Sequence, residues 1–211
     1  TFASTWPLAT RAVILSSPFK VFSAGLDLKE AQSFDLADEQ AIVRALNVDF
    51  LNLFAFPKPV VAEVNGPAIA GGFFFVLASD WRVATARAQF GLAEVRVGAD
   101  FPVGPLEIAR ATLDPNSLRR LMLTGQPMDA QSAATVGIVD DIASAETLTK
   151  CALVKARELA DIPPRAFASV KRQIRQDAIA RIEQAMASGA NAPEFGWFTE
   201  ETRPAMQRMI G

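Results

Sequence analysis

Histidine and tyrosine are absent from all 211 residues, and cysteine occurs once, at Cys151. Without histidine there is no Ser–His or Cys–His nucleophile pair and no imidazole metal site. Proton transfer near neutral pH therefore falls to Asp, Glu, Lys, the lone thiol or water. One cysteine cannot make an internal disulfide; Cys151 sits at helical spacing with Leu148 and Ala152 and reads as a small core residue rather than a nucleophile. A single thiol fits a reducing cytoplasm, and an organellar matrix equally well. A broad excess of either charge is missing too: 21 Lys and Arg stand against 23 Asp and Glu, so nothing suggests a broad basic surface for nucleic acid, and no nucleic-acid partner is expected. No apolar run reaches the ~18–20 residues of a membrane span, so no membrane partner is expected. What the chain does have is a half-hydrophobic, one-fifth-charged composition suited to one globular unit with a sizeable core.

The hydrophobic pattern alternates strands and helices in the first two-thirds. Residues 11–16 read as a strand. Residues 38–54 read as a helix with Ile42, Val43, Leu46, Phe50, Leu53 and Phe54 on one face, stopped by Phe56-Pro57-Lys58-Pro59. Residues 59–64 follow as a buried strand, then a helix from Phe73, a short strand from Trp81 to Ala84 and a shorter one at Gln89-Phe90-Gly91. This order predicts an α/β core with parallel pairing. The last third is helical. Asp129 caps a helix ended by Gly137, and residues 138–142 form a strand or extended link. A helix follows over 144–160, broken by Ile162-Pro163-Pro164. Phe167, Val170 and Ile174 mark one further helix, and Ile179, Ile182 and Met186 the next. The aromatic and methionine residues of the final segment (Phe195, Trp197, Phe198, Met206, Met209) read as core or subunit contacts rather than a ligand box.

Two strand-to-turn segments carry the chemistry. Asn65-Gly66-Pro67-Ala68-Ile69-Ala70-Gly71-Gly72 leads from a buried strand into a helix, so unpaired amides stand at a helix start. Gly71 and Gly72 have no side chain to keep a ligand oxygen away from those amides. Phe22-Ser23-Ala24-Gly25-Leu26-Asp27-Leu28 also follows an apolar run and also enters a helical pattern. Two such turns can converge on one carbonyl oxygen.

These segments, with Lys58-Pro59-Val60-Val61-Ala62-Glu63-Val64-Asn65-Gly66 and Ala88-Gln89-Phe90-Gly91, keep an order and spacing that resembles the crotonase family of enoyl-CoA hydratases and isomerases over roughly residues 11–143. The resemblance implies an α/β, crotonase-like ββα spiral core over 1–143. It implies a C-terminal helical region over 144–211 that covers the site and mediates assembly into a homotrimer or a dimer of trimers. It implies an acyl-CoA thioester substrate with coenzyme A as part of it, and no separate cofactor or metal. Carried over by motif, the oxyanion amides are those of Leu26 and Gly71. The CoA adenine end lies along Leu26 to Lys29, so Ala24, Leu26, Asp27, Leu28, Lys29, Gly71 and Phe74 are substrate-binding positions. Lys20 and Lys29 are either neighbours of the CoA phosphates or solvated surface lysines. Family members also carry a strand, a turn and a helix ahead of the segment matching Arg11 to Ser16. Thr1 to Thr10 does not resemble that opening, and the part it would replace helps bind CoA.

Hydratases of this family use two glutamates. At the first position this chain has Phe74, which cannot transfer a proton; at the second it has Glu94. One carboxylate suffices for a Δ3,Δ2-enoyl-CoA isomerase, where a single glutamate moves a proton from C2 to C4 through an enolate, and a dry pocket around Phe74 would raise the Glu94 pKa. Leu26 in the first motif also resembles these isomerases. Asp100 is a possible second carboxylate, although the family's catalytic aspartate falls at Pro102. Glu63 is expected to face solvent or a subunit contact, Asp80 to be structural, and Glu107 to lie on an exposed helix face. The expected function is thus double-bond isomerisation. The alternatives are hydration using Asp100 or water, and a non-catalytic acyl-CoA binder.

Overall fold

The computed structural model describes residues 9–211. Most of the Thr1–Thr10 opening discussed above lies outside the described residues. Strand β1 (Val13–Leu15) is followed by a turn, the short helix α1 (Leu28–Ala31) and the long helix α2 (Leu36–Phe54). Helix α2 begins at a reciprocal cap in which Asp35 accepts from the Asp38 amide and Asp38 accepts from the Asp35 amide. It ends where Phe56-Pro57 removes the next amide donor. Then come β2 (Val60–Val64), β3 (Ala68–Ile69), α3 (Gly71–Ala78), β4 (Trp81–Thr85) and β5 (Gln89–Gly91). A single 3₁₀ turn over Glu94–Val97 leads to α4 (Val103–Thr112) and α5 (Pro115–Thr124). Strand β6 (Met128–Asp129), α6 (Ala130–Thr135), β7 (Asp141–Ala143), α7 (Leu148–Ala160), α8 (Pro164–Ala185) and α9 (Thr202–Ile210) complete the order.

The strands form two sheets between which the chain passes back and forth. One sheet has the order β1-β2-β4-β7, all parallel; the other has β3-β5-β6, with β3 and β5 parallel and β6 antiparallel. Each turn of the spiral lays one strand in each sheet: β2 then β3, β4 then β5. The first turn follows suit, because Ser23 bridges Ala68 after β1. Alternate side chains of β2 serve different layers. Val60, Ala62 and Val64 enter the main core with α3, whereas Val61 joins Val83 beneath Leu148, Ala152 and Ala156 of α7. Among the described residues no helix is long and apolar enough to cross a membrane.

The helices differ from expectation in two places. Residues 164–185 form one helix, not two, because nothing between Ile174 and Ile179 breaks it: the stretch has no Gly or Pro. Val170 and Ile174 of that helix are exposed, while Ile182 is buried. Glu107, expected on an exposed face, is 4% exposed. It is covered because α4 packs on α8, where Arg181 reaches back to bind it alongside Arg110.

Asp80 anchors the end of α3. Its carboxylate accepts from the Val60 amide and pairs with Lys171 (2.6 Å) and Arg175 (2.9 Å) of α8. Arg175 also caps the Phe54 and Ala78 carbonyls, and Arg82 caps those of Val76 and Leu77. Removing the carboxylate strands two buried cations. Asp80→Ala should therefore cost about 3–5 kcal/mol. For a chain of this size that lowers Tm by roughly 10 °C in a thermal melt. A loss below about 1 kcal/mol would mean that the cluster is as weak as a surface ion pair.

Candidate active site

The two turns singled out in the sequence meet. The Ser23 carbonyl accepts from the Ile69 amide (2.9 Å), and the Phe22 and Ser23 amides donate to the Pro67 carbonyl. Gly72 lies so close beneath Ser23 that a Cβ on it would sit 2.1 Å from the Ser23 carbonyl oxygen. Gly25, at φ +81°, touches the start of α3, and a Cβ there would lie 3.0 Å from the Gly71 amide nitrogen. Ala70, between β3 and α3, has φ 50° and ψ −127°, the one positive φ outside glycine among the described residues. Such a conformation costs about 1–3 kcal/mol and persists only where its surroundings over-determine it. Here the Ala70 amide donates to the Gly91 carbonyl (2.8 Å) and the Ala70 carbonyl accepts from the Phe73 amide (2.9 Å). The turn leaves the Gly71 amide without an acceptor among the described residues, and the Leu26 amide has none either.

Both residues line a cavity of about 350 Å³, a volume that suits the buried part of a small ligand. Its wall is almost wholly apolar. Gly71, Phe74 and Phe75 present one face of α3 to it, and Phe50 of α2 packs against both rings at centroid distances of 5.6 and 5.0 Å. Phe101 closes edge-on against Phe74. Phe74 itself is 1% exposed.

Glu94 opens the 3₁₀ turn after β5, and Gly98, in the left-handed region at φ +66°, ends that turn. Its carbonyl is tied to the Ala99 amide (3.1 Å), so the backbone is fixed. The side chain is 8% exposed, and its Oε2 is buried with no hydrogen-bond partner among the described residues. Burial pushes its pKa up from the ordinary carboxylate range to about 7, only partly offset by its own backbone amide. An orphaned carboxylate oxygen on a cavity wall is a proton acceptor lacking only its donor.

The remaining positions divide. Ala24, Leu26 and Leu28 line the cavity. Asp27 and Lys29 do not: Asp27 caps α1 by accepting from the Lys29 and Glu30 amides, and both side chains are exposed. Lys20 is exposed, and its carbonyl accepts from Arg87. Asp100 is exposed and off the wall; the wall passes from Ala99 to Pro102, and the Asp100 carbonyl accepts from the Trp197 indole. Pro102, where the resemblance puts the family's aspartate, does line the cavity. Glu63 is half-buried and accepts from the Thr149 hydroxyl. Trp197, Met206 and Met209, expected as core or subunit contacts, also form part of the wall, and Phe195 is 88% exposed. Asp49 of α2, which pattern reasoning passed over, is the second ionisable side chain on the wall. Its signal was a carboxylate one turn beyond Leu46 in the stripe that otherwise presents Ile42 and Phe50. No group of three or more potential metal ligands occurs among the described residues.

Comparison with known proteins places the chain in a family. The family model for Enoyl-CoA hydratase/isomerase matches residues 8–203. A Mycobacterium tuberculosis protein named "Probable enoyl-CoA hydratase EchA17" is 35% identical over 164 residues, 76% of this chain and 61% of its own length. This chain thus spans about three-fifths of that relative. The human mitochondrial Δ3-Δ2-enoyl-CoA isomerase superposes with a TM-score of 0.86 at 25% identity, covering 95% of this chain and 79% of that one. An enoyl-CoA isomerase of M. tuberculosis, solved in its apo form, gives 0.79 at 30% identity, covering 86% and 79%. The chain belongs to the enoyl-CoA hydratase/isomerase family.

The Glu94 environment makes a prediction independent of substrate. Unfolded, the carboxyl ionises near the ordinary value of 4.5; folded, near 7. Stability from this group is full below the unfolded value and is lost as pH rises through the folded one. Glu94→Gln should therefore be more stable than wild type at pH 8 by about 2–3 kcal/mol, with the gap closing toward pH 4, as read by urea unfolding. A variant less stable at pH 8 would mean the carboxylate has a partner in the folded protein.

Proposed function

We infer that this chain shifts a carbon–carbon double bond within an enoyl-CoA from the 3 to the 2 position, with Glu94 carrying the proton. One observation carries this reading: a buried, orphaned Glu94 shares the wall with Phe74, at the position where hydratases of the family hold their other glutamate. The thioester oxygen accepts from the Leu26 and Gly71 amides. The Glu94 carboxylate takes a proton from C2, and the electron pair delocalises through the dienolate onto that oxygen. The same carboxyl returns the proton at C4, and the double bond forms between C2 and C3. The shift is redox-neutral, so it calls for no cofactor beyond the CoA of the substrate. The apolar wall keeps water from the enolate and raises the basicity of Glu94.

Hydration is the second reading, favoured by the hydratase name of the EchA17 relative. It needs another acid–base group, and Asp100 stands off the wall.

A 3-enoyl-CoA and a 2-enoyl-CoA should be assayed side by side. Wild type is expected to isomerise the first and leave the second unhydrated, and Glu94→Gln to lose about 10²–10⁴-fold in isomerisation. Because the base acts ionised, kcat/KM should rise with pH and level off above about 7. Isomerisation that survives in Glu94→Gln, or hydration outpacing it in wild type, would overturn this assignment.

Gly25→Ala tests the amide pair separately. The new Cβ would press on the Gly71 nitrogen, so a loss of about 10²–10³-fold in kcat is expected, the worth of one oxyanion donor. Gly137→Ala is the control: it has a similar φ of +76° and no neighbour within 4 Å of an added Cβ. Comparable activity loss in both variants would trace the effect to backbone strain and not to the amide.

A further inference from the structure

Two ionisable side chains face the cavity, and the isomerase reading uses one of them. The other, Asp49, has no hydrogen-bond or ion-pair partner among the described residues, and no lysine or arginine among them lines the cavity wall. A free carboxylate on a surface otherwise made of Phe50, Phe75, Leu46 and Ile42 is an anomaly for a pocket meant only for hydrocarbon. Neither the fold nor the proton transfer needs it there. Asp38, Asp114 and Asp129 cap helices, Asp80 binds two cations, and Glu39 and Glu107 are each held by arginine. Asp49 does none of these things. It is exposed, so its ionised form is solvated while the cavity is open, and an acyl chain entering the cavity displaces part of that water. The partner that restores its hydrogen bonds is a donor on the acyl group; a second carboxylate there would meet like charge.

We propose that Asp49 is a specificity-determining residue, which favours acyl groups bearing a hydrogen-bond donor (a hydroxyl or an ammonium) along the chain and rejects those bearing a carboxylate. This rests on the reading of the cavity as an acyl-CoA site, but not on the double-bond shift. Its readout is accordingly binding of saturated esters.

The probes are an unbranched saturated acyl-CoA and its terminal-hydroxyl, terminal-ammonium and terminal-carboxylate analogues, at chain lengths of four, six and eight carbons. Their Kd values are measured by calorimetry on wild type, Asp49→Asn and Asp49→Leu. Asp49 is exposed and caps nothing, so both variants should fold. At the chain length that reaches Asp49, wild type is expected to bind a donor analogue about tenfold or more tighter than the carboxylate analogue. That ratio should fall to within about threefold in both variants. Preference for ammonium alone would identify a charge-selective site, and preference for both donors a hydrogen-bonding one; either supports the proposal. Equal binding of all four esters by wild type, or a ratio that survives in both variants, overturns it and leaves the acyl-CoA reading standing. Failure of wild type to bind any of the esters overturns the acyl-CoA reading and this inference with it.

Discussion

The close approach of Gly72 to the Ser23 carbonyl is the constraint on which the rest of the site depends. Two turns of the spiral are pressed together there, and the Gly71 and Leu26 amides stand on either side of the seam. A methyl group at position 72 has no room, so the separation of the two donors is set by backbone contact and not by any side chain. That is the kind of preorganisation that oxyanion stabilisation requires, since backbone donors held from both ends do not reorient when charge appears. The strain at Ala70 follows from the same packing. β3 is pinned to β5 and to Ser23, while α3 has to start in a new direction. Only a left-handed residue at the junction turns the Gly71 amide out of the ladder.

The aromatic wall then sets the chemistry that these donors can serve. Phe50, Phe74, Phe75 and Phe101 are arranged edge to face or tilted, and the ionisable side chains on the wall beside them are Glu94 and Asp49. The same low polarity that strengthens the amide–oxygen interaction makes the ionised form of Glu94 costly. A carboxylate in place of Phe74 would make that wall polar. Phenylalanine does the reverse. The chain therefore trades folded-state stability at Glu94 for a stronger base, the exchange expected where strain and burial coincide with a reactive group.

Much of this was legible in the sequence because the relevant residues are local. Each turn carries its own glycine beside its donor, and Glu94 follows β5 by a few positions, so a linear pattern suffices. The parts that were not legible depend on contacts between distant segments. Glu107 has the spacing of an exposed helix residue and is buried only because Arg181 folds over it from α8. Asp100 and Pro102 differ by two positions in one loop. Pro102 meets the cavity and Asp100 does not, and the Trp197 indole holds the Asp100 carbonyl from a distant part of the sequence. Trp197, Met206 and Met209 have the composition of any hydrophobic face. Nothing in their spacing tells a core from a cavity wall, because both want the same side chains. Asp49 was overlooked for the opposite reason: a single charge in an amphipathic helix is ordinarily a solvated one.

Helix α2 connects these distant parts through buried polar groups. Glu39 accepts from the Trp197 and Phe198 amides and from Arg203, and Gln40 donates to the Pro193 carbonyl. Asn47 accepts from the Gly104 amide on one side and donates to Asn191 on the other. A closing segment that buries few side chains of its own cannot be held by apolar area alone. Its free backbone amides would be unsatisfied beneath α2 without acceptors placed to receive them. Burying Glu39 is costly unless it is fully bonded, and it is bonded by three donors that all come from that segment or from α9. The helix that supplies Phe50 to the cavity thus also fixes the stretch that supplies Trp197. The position of the wall is set by hydrogen bonds that have fixed lengths and directions, whereas apolar packing alone would leave it free to slide.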